Sequence, residues 1–334
     1  MKVLLVCYYG FIESIASAVT SLTKYGLNIV EYPLMKIQHE IKDGTIEHFK
    51  TKITEENPDI ILWWYLGISS QELQEIEDLI KSRKNIFFNW DEPYVWSMED
   101  FKNKPKYMDA VFACCEESLG RYLEAGSRAA YYCLPGYDPK DNFKIYDHKE
   151  EIKKKYTCDI SIACTNLYEK EDIYPNQYIN RKTIIDNIYN NQEQYGYVFH
   201  IYGPEFLGKL YPNSYKGFLD YYDTNYLFNY SKINLCTHVM CDKYKMLNQR
   251  SLLILGSGGL LFVDYISGLE NLITPNEECI LIDKENYIDQ IVSILNNYEQ
   301  FKDVRENGRL KSFKYTWNNW AFTIYENYIK NIKG

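Results

Sequence analysis

The first 135 residues alternate short, wholly apolar runs with amphipathic stretches. Residues 2–8 run apolar into Tyr9-Gly10, and an amphipathic segment follows at 12–24. Further apolar runs stand at 27–32, 59–65 (DIILWWY), 85–89 (NIFFN), 109–114 (DAVFAC) and 129–134, with helical patterns at 70–82 and 116–124. Strands apolar on both sides predict a parallel sheet covered by helices on each face. The turn cluster Pro135-Gly136-Tyr137-Asp138-Pro139 breaks the pattern, and the polar, charged stretch after it reads as a linker. Alternation resumes with predicted strands at 158–163, 197–202, 233–237, 259–263 and 279–282. Helical segments are expected at 181–191, from about 248, at 287–296 and, finally, at 318–332. The expected fold is α/β, two doubly wound parallel-sheet units facing a cleft, with ligands beyond the carboxyl ends of the strands. The expected division is 1–140, a linker at 141–156, a second unit at 157–316, and a helix at 317–334 that can cross back to the first unit.

Composition narrows the function classes. A length of 334 residues suits two domains, and a net charge of −9 disfavours a nucleic-acid clamp. The nine cysteines form no Cys-x-x-Cys pair and the five histidines are dispersed, so neither a zinc site nor a disulfide framework is expected. Reduced thiols point to the cytoplasm. The opening MKVLLVCYYG is too short in apolar length for a signal peptide and reads as a first strand. The most apolar stretch, residues 252–263, is too short to span a bilayer and ends on Asp264, so no membrane span is expected. The 33 tyrosines suit sugar or base stacking, but most are expected to be ordinary packing and surface residues.

From Cys158 onward six motifs fall in order: CDISIACTN, a helix beginning near Arg181, HIYGP at 200–204, SKINLCTH at 231–238, NQR at 248–250 and GSGGLLFVD at 256–264. Together they resemble the C-terminal domain of GT-B glycosyltransferases, especially the group typified by the spore-maturation CgeB-type transferases. In the first half, NWDEP at 89–93 and LPGYDP at 134–139 are similar to that group's pattern. The resemblance implies a GT-B fold of two Rossmann-like domains. It also implies transfer of a sugar from a nucleotide donor, bound by the second half, to a glycan, lipid-linked glycan or protein. No cofactor is implied beyond the nucleotide-sugar itself. One departure stands out. Related transferases carry a Glu three residues after the motif Arg, where it holds the donor ribose; here that position is Leu253.

Such an enzyme must neutralise a departing diphosphate. With no Asp-x-Asp motif in the chain, the work is expected of cationic side chains and helix N-terminal N–H groups. Asn248 and Arg250, where a helix should begin, are the leading donor-site candidates, and Arg181 matches the family's helix Arg. Thr165 and Asn166 follow a predicted strand, where either phosphate or sugar binding or a plain Asn turn fits. Tyr202-Gly203 could line the base pocket or mark a turn, and His238 could bind the sugar or be structural. Gly258-Gly259 serves either close approach to a ligand or a tight turn. On the acceptor side, Asp91 is the candidate general base for an inverting reaction, or a turn cap beside Pro93, and Glu92 adjoins it. Tyr9, Gly10 and Trp64 are candidates to shape the acceptor pocket, although adjacent Trp63 and Trp64 must face opposite sides of a strand. Two other functions fit the same motifs: glycosylation of a modified DNA base, and a sugar- or nucleotide-binding module without turnover.

Overall fold

The computed structural model describes residues 1–10, 12–41, 43–90, 96, 98–145, 149–168 and 177–333. They divide into two compact units, one of residues 1–136 with 317–334 and one of residues 137–316.

The first unit is built on six strands: β1 (Lys2–Cys7), β2 (Asn28–Pro33), β3 (Ile60–Trp63), β4 (Lys84–Asn89), β5 (Ala110–Ala113) and β6 (Ala130–Tyr132). All pair in parallel in the order β2-β1-β3-β4-β5-β6, with Val3 opposite Ile29 on one side and Ile60 on the other. Because successive side chains alternate, each apolar strand feeds two cores. Leu4, Val6, Ile61, Trp63 and Phe87 pack on one face, with Phe49 and Ile53 of the helix Thr45–Glu56. Val3, Leu5, Leu62, Trp64 and Phe88 pack on the other, with Ile15 of the helix Glu13–Thr23 and with Trp317, Trp320 and Ile324 of the helix Trp317–Asn327. The last helix therefore completes the first unit's core.

The expected single helix over 70–82 is two short ones, Ser70–Glu75 and Glu77–Lys81, with Ile76 off helical geometry between them (φ −106°, ψ 10°). The first starts on a capping box, Ser69 accepting from the Glu72 N–H while the Glu72 carboxylate accepts from the Ser69 N–H.

The second unit holds β7 (Cys158–Ala163), β8 (Phe199–Tyr202), β9 (Ser231–Cys236), β10 (Leu261–Val263) and β11 (Ile280–Leu281), parallel in the order β11-β10-β9-β7-β8. The segment 141–156, expected as a linker, is part of this unit. Its backbone is held by side chains of the helix Thr224–Tyr230: Phe143 N–H donates to Asn225 Oδ1 and Ile145 N–H to Asn229 Oδ1, each at 2.9 Å. A helix then runs Glu150–Tyr156, and the Tyr156 hydroxyl donates to Asp223 at 2.6 Å. Two asparagines one helical turn apart thus do what a neighbouring strand would, and polarity alone gave no sign of it.

Trp64 is 2% exposed, with its ring centroid 5.1–5.4 Å from those of Trp90, Phe88, Trp317 and Trp320. It is core, not pocket wall, so the acceptor role expected of it is corrected. Trp64→Ala should lower the unfolding free energy of the chain by about 3–5 kcal/mol, as large aromatic truncations in cores do. Denaturant titration followed by tryptophan fluorescence would measure it, and a loss below about 1 kcal/mol would show that the cluster contributes little.

Candidate functional site

In the second unit the ends of β7, β9 and β10 lead into Cys164-Thr165-Asn166, Thr237-His238 and Asp264. Arg181 opens the helix Arg181–Tyr195, whose N-cap Asn180 accepts from the Lys182 N–H. Its side chain turns back under the strand ends and is 4% exposed. Nε donates to Thr237 Oγ1 at 2.7 Å, Nη1 to the Asn166 carbonyl at 2.7 Å and Nη2 to the Thr237 carbonyl at 3.0 Å. The guanidinium also lies 4.4 Å from the centroid of the Tyr168 ring. Burial, and then the nearby charge of Arg250, push the guanidinium below its usual range. Arg181 therefore ties the β7 and β9 loops together, and its named contacts are all with the protein.

Asn248 caps the helix Gln249–Gly256: its Oδ1 accepts from the Ser251 N–H at 2.9 Å and from the Ser251 hydroxyl at 3.1 Å. His238 is 2% exposed, its Nδ1 2.7 Å from Asp264 Oδ1 and its Nε2 3.2 Å from the Asn248 nitrogen. With both ring nitrogens engaged inside the protein, His238 has no free polar atom for a ligand, which corrects its expected place as a donor contact. Asp264 and Thr237, neither singled out from the sequence, hold this arrangement together. The signal for Asp264 was its place directly after an apolar strand.

Arg250 is different. It sits in the first turn of the same helix, half-buried, and has no hydrogen-bond or ion-pair partner among the described residues. Its charge is close enough to Arg181 to disfavour the latter's protonation. Two cations meeting near a helix N-terminus make a locally positive site suited to an anion. The side chains of Thr165 and Asn166, in the loop whose Asn166 carbonyl Arg181 holds, are exposed, and Asn166 Oδ1 accepts from the Tyr168 N–H in an Asx turn. Leu253 lies further along the helix and is 6% exposed. Among the described residues no three His, Cys, Asp or Glu side chains converge as metal ligands.

Other candidates lie elsewhere. Gly258 and Gly259 sit before β10, at the opposite end of the strand from Asp264. They close the helix as a Schellman turn, Gly259 N–H donating to the Ile254 carbonyl at 3.0 Å and Gly258 N–H to the Leu255 carbonyl at 2.9 Å. Gly258 has φ +74°, and a Cβ on Gly259 would come within 2.6 Å of the Phe228 carbonyl. The tight-turn role accounts for both, and the ligand role is withdrawn. Gly203 (φ +154°) lets the end of β8 lie against the Cys164 carbonyl, where a Cβ would clash. Tyr202 is 3% exposed and packs beside Tyr156, so its ring is buried away from any ligand.

In the first unit Tyr9 and Gly10 follow β1, which borders the point where the strand order reverses. Tyr9 is 49% exposed, and Gly10 (φ +131°) faces the Glu31 carboxylate. Asp91 and Glu92 lie outside the described residues.

Two parallel α/β units, with the last helix returning to the first, define the GT-B fold. The likeness to solved structures extends over the whole chain. Sucrose-phosphate synthase from Thermosynechococcus elongatus superposes with a TM-score of 0.71 at 11% identity, over 100% of this chain and 99% of that one. HepE from Anabaena, solved with UDP and glucose, gives 0.66 at 12% identity over 98% and 99%. A glycosyltransferase from Rickettsia africae gives 0.64 at 14% over 100% and 99%. By sequence, residues 181–326 match the family described as glycosyl transferase-like. That span includes Arg181, His238, Asn248 and Arg250. No curated protein sequence matches the chain.

Because Arg181 bonds two backbone carbonyls and a hydroxyl, Arg181→Met, of similar length, should cost roughly 2–4 kcal/mol. Urea unfolding read by circular dichroism would test this. Unchanged stability would mean that the loops are held without it.

Proposed function

We propose that the chain is a metal-independent, CgeB-type glycosyltransferase that moves a sugar from a nucleoside-diphosphate donor to a hydroxyl on a glycan, lipid-linked glycan or protein. The observation that carries this reading is Arg250, unpaired among the described residues in the first turn of its helix beside the buried Arg181. In this reading the Arg250 guanidinium and the first N–H groups of the helix bind the diphosphate. They stabilise its charge as the glycosidic oxygen departs, without a divalent cation. The likeness to HepE makes uridine nucleotides the first donors to test. Leucine at 253 cannot accept from ribose hydroxyls, so in this reading the ribose is recognised by other groups, with exposed Thr165 and Asn166 as candidates. Asp91, after β4, is the proposed base for the acceptor hydroxyl. All nine cysteines are buried and none is in a disulfide among the described residues, which supports a reducing, cytoplasmic setting. No helix among the described residues is long and apolar enough to cross a membrane.

Arg250→Ala should weaken donor binding by about one to two orders of magnitude, the loss of one charge-assisted hydrogen bond to phosphate. Asp91→Asn should leave donor affinity intact and lower turnover by about 10²-fold or more. Calorimetry with UDP-sugars and a donor-hydrolysis assay give the two readouts. Turnover should survive EDTA; loss that magnesium or manganese restores would sink the metal-free mechanism. Leu253 favours a second reading, a donor-binding module without turnover, which tight donor binding with neither hydrolysis nor transfer would establish.

A further inference from the structure

The His238 ring is wholly enclosed, with its side chain 0% exposed. An imidazole nitrogen facing a carboxylate carries a proton, and one facing an amide N–H must not. Nδ1 faces Asp264 at 2.7 Å and Nε2 faces the Asn248 N–H at 3.2 Å, so the two neighbours select the neutral ring with its hydrogen on Nδ1. Among the described residues, Asp264 in turn meets donors: the His238 backbone N–H at 2.9 and 3.1 Å, the ring, and the Cys241 thiol at 3.2 Å. Burial, reinforced by the Asp264 charge, pushes that thiol up, so it stays a donor. The chain of contacts runs from the end of β10, through the loop after β9, to the N-cap of the helix carrying Arg250.

We propose that His238 is a positioning residue for donor binding: held by Asp264 as the Nδ1–H tautomer, it accepts the Asn248 N–H through Nε2 and so sets the start of the helix that presents Arg250. The proposal rests on the reading of Arg250 as a diphosphate contact. Asn248 orients the first turn through Ser251, and Arg250 lies two residues beyond the cap, so a shift of Asn248 moves the guanidinium. Moving the guanidinium off such a charge-assisted contact costs about one to two orders of magnitude in affinity at most.

The two ring nitrogens can be tested separately. In His238→Asn the shorter amide can still donate to Asp264, but nothing remains at the Nε2 position. In His238→Gln the longer side chain can return a carbonyl oxygen to it. Calorimetry with UDP, GDP, ADP and inorganic pyrophosphate, with thermal unfolding on every protein, would be run on wild type, both variants and Arg250→Ala. His238→Asn, assayed well below its unfolding temperature, should bind the best wild-type probe about tenfold more weakly, and His238→Gln should recover most of that loss. If His238→Asn does not fold, Asp264→Asn serves in its place, because an amide there drives the ring proton to Nε2. The ¹⁵N resonances of the wild-type ring should report a neutral imidazole protonated at Nδ1. A folded His238→Asn that binds like wild type, or a folded His238→Gln no better than His238→Asn, overturns the proposal while Arg250→Ala still weakens binding. If Arg250→Ala binds normally, or wild type binds none of the four probes, the donor-site reading fails and takes this proposal with it.

Discussion

A guanidinium taken out of water must find its hydrogen bonds inside the protein, and the second unit is arranged around that demand. Arg181 satisfies it with the carbonyls of Asn166 and Thr237 and the Thr237 hydroxyl. Those acceptors belong to the loops after β7 and β9, so one buried cation fixes two strand ends against the start of a helix. Its bonds run to carbonyls and a hydroxyl, so its positive charge is not cancelled by those contacts. That residual charge, next to Arg250, makes the strand ends locally positive.

The Asp264–His238–Asn248 chain solves a second problem at the same place. The first N–H groups of a helix lack partners within it, and side chains from outside can satisfy some of them. The Asn248 side chain serves the Ser251 N–H, while the His238 ring serves the Asn248 N–H. At the far end of that helix the Schellman turn at Gly258 and Gly259 satisfies the last carbonyls. The helix is only eight residues long, too short to be stable by itself. Its two capped ends and its buried apolar side chains hold it in place.

Much of this was legible in the chain. Short, wholly apolar runs such as IILWW and IFF identified strands buried on both faces, and six parallel strands followed by five were observed. Boundaries shifted by a residue or two, as the last residues of a run often lie in the loop. Helices that bury little apolar surface escaped detection. The helix Lys302–Ser312 buries Gly308 and Ser312 as contact points, so close backbone approach rather than an apolar stripe holds it. The helix Thr45–Glu56 does carry an apolar stripe, Ile46, Phe49 and Ile53, and was missed among its charges.

The sequence by itself determined the fold class and the order of motifs, because hydrophobic periodicity is local and strand–helix alternation leaves few topologies open. It also placed Arg181, His238, Asn248 and Arg250 after or between strands of the second unit. It could not assign their roles, since a role depends on which polar atoms are already engaged by partners distant in the chain. Arg181 and Arg250 are the same residue type near helix starts, yet one is saturated by acceptors 15 and 56 residues away and the other is left unpaired among the described residues. Trp64 and the glycines at 258–259 were divided in the same way, by burial and by which end of a strand they adjoin. Only tertiary structure decides such questions, because hydrogen bonding and exclusion of water are properties of the assembled neighbourhood and not of the residue.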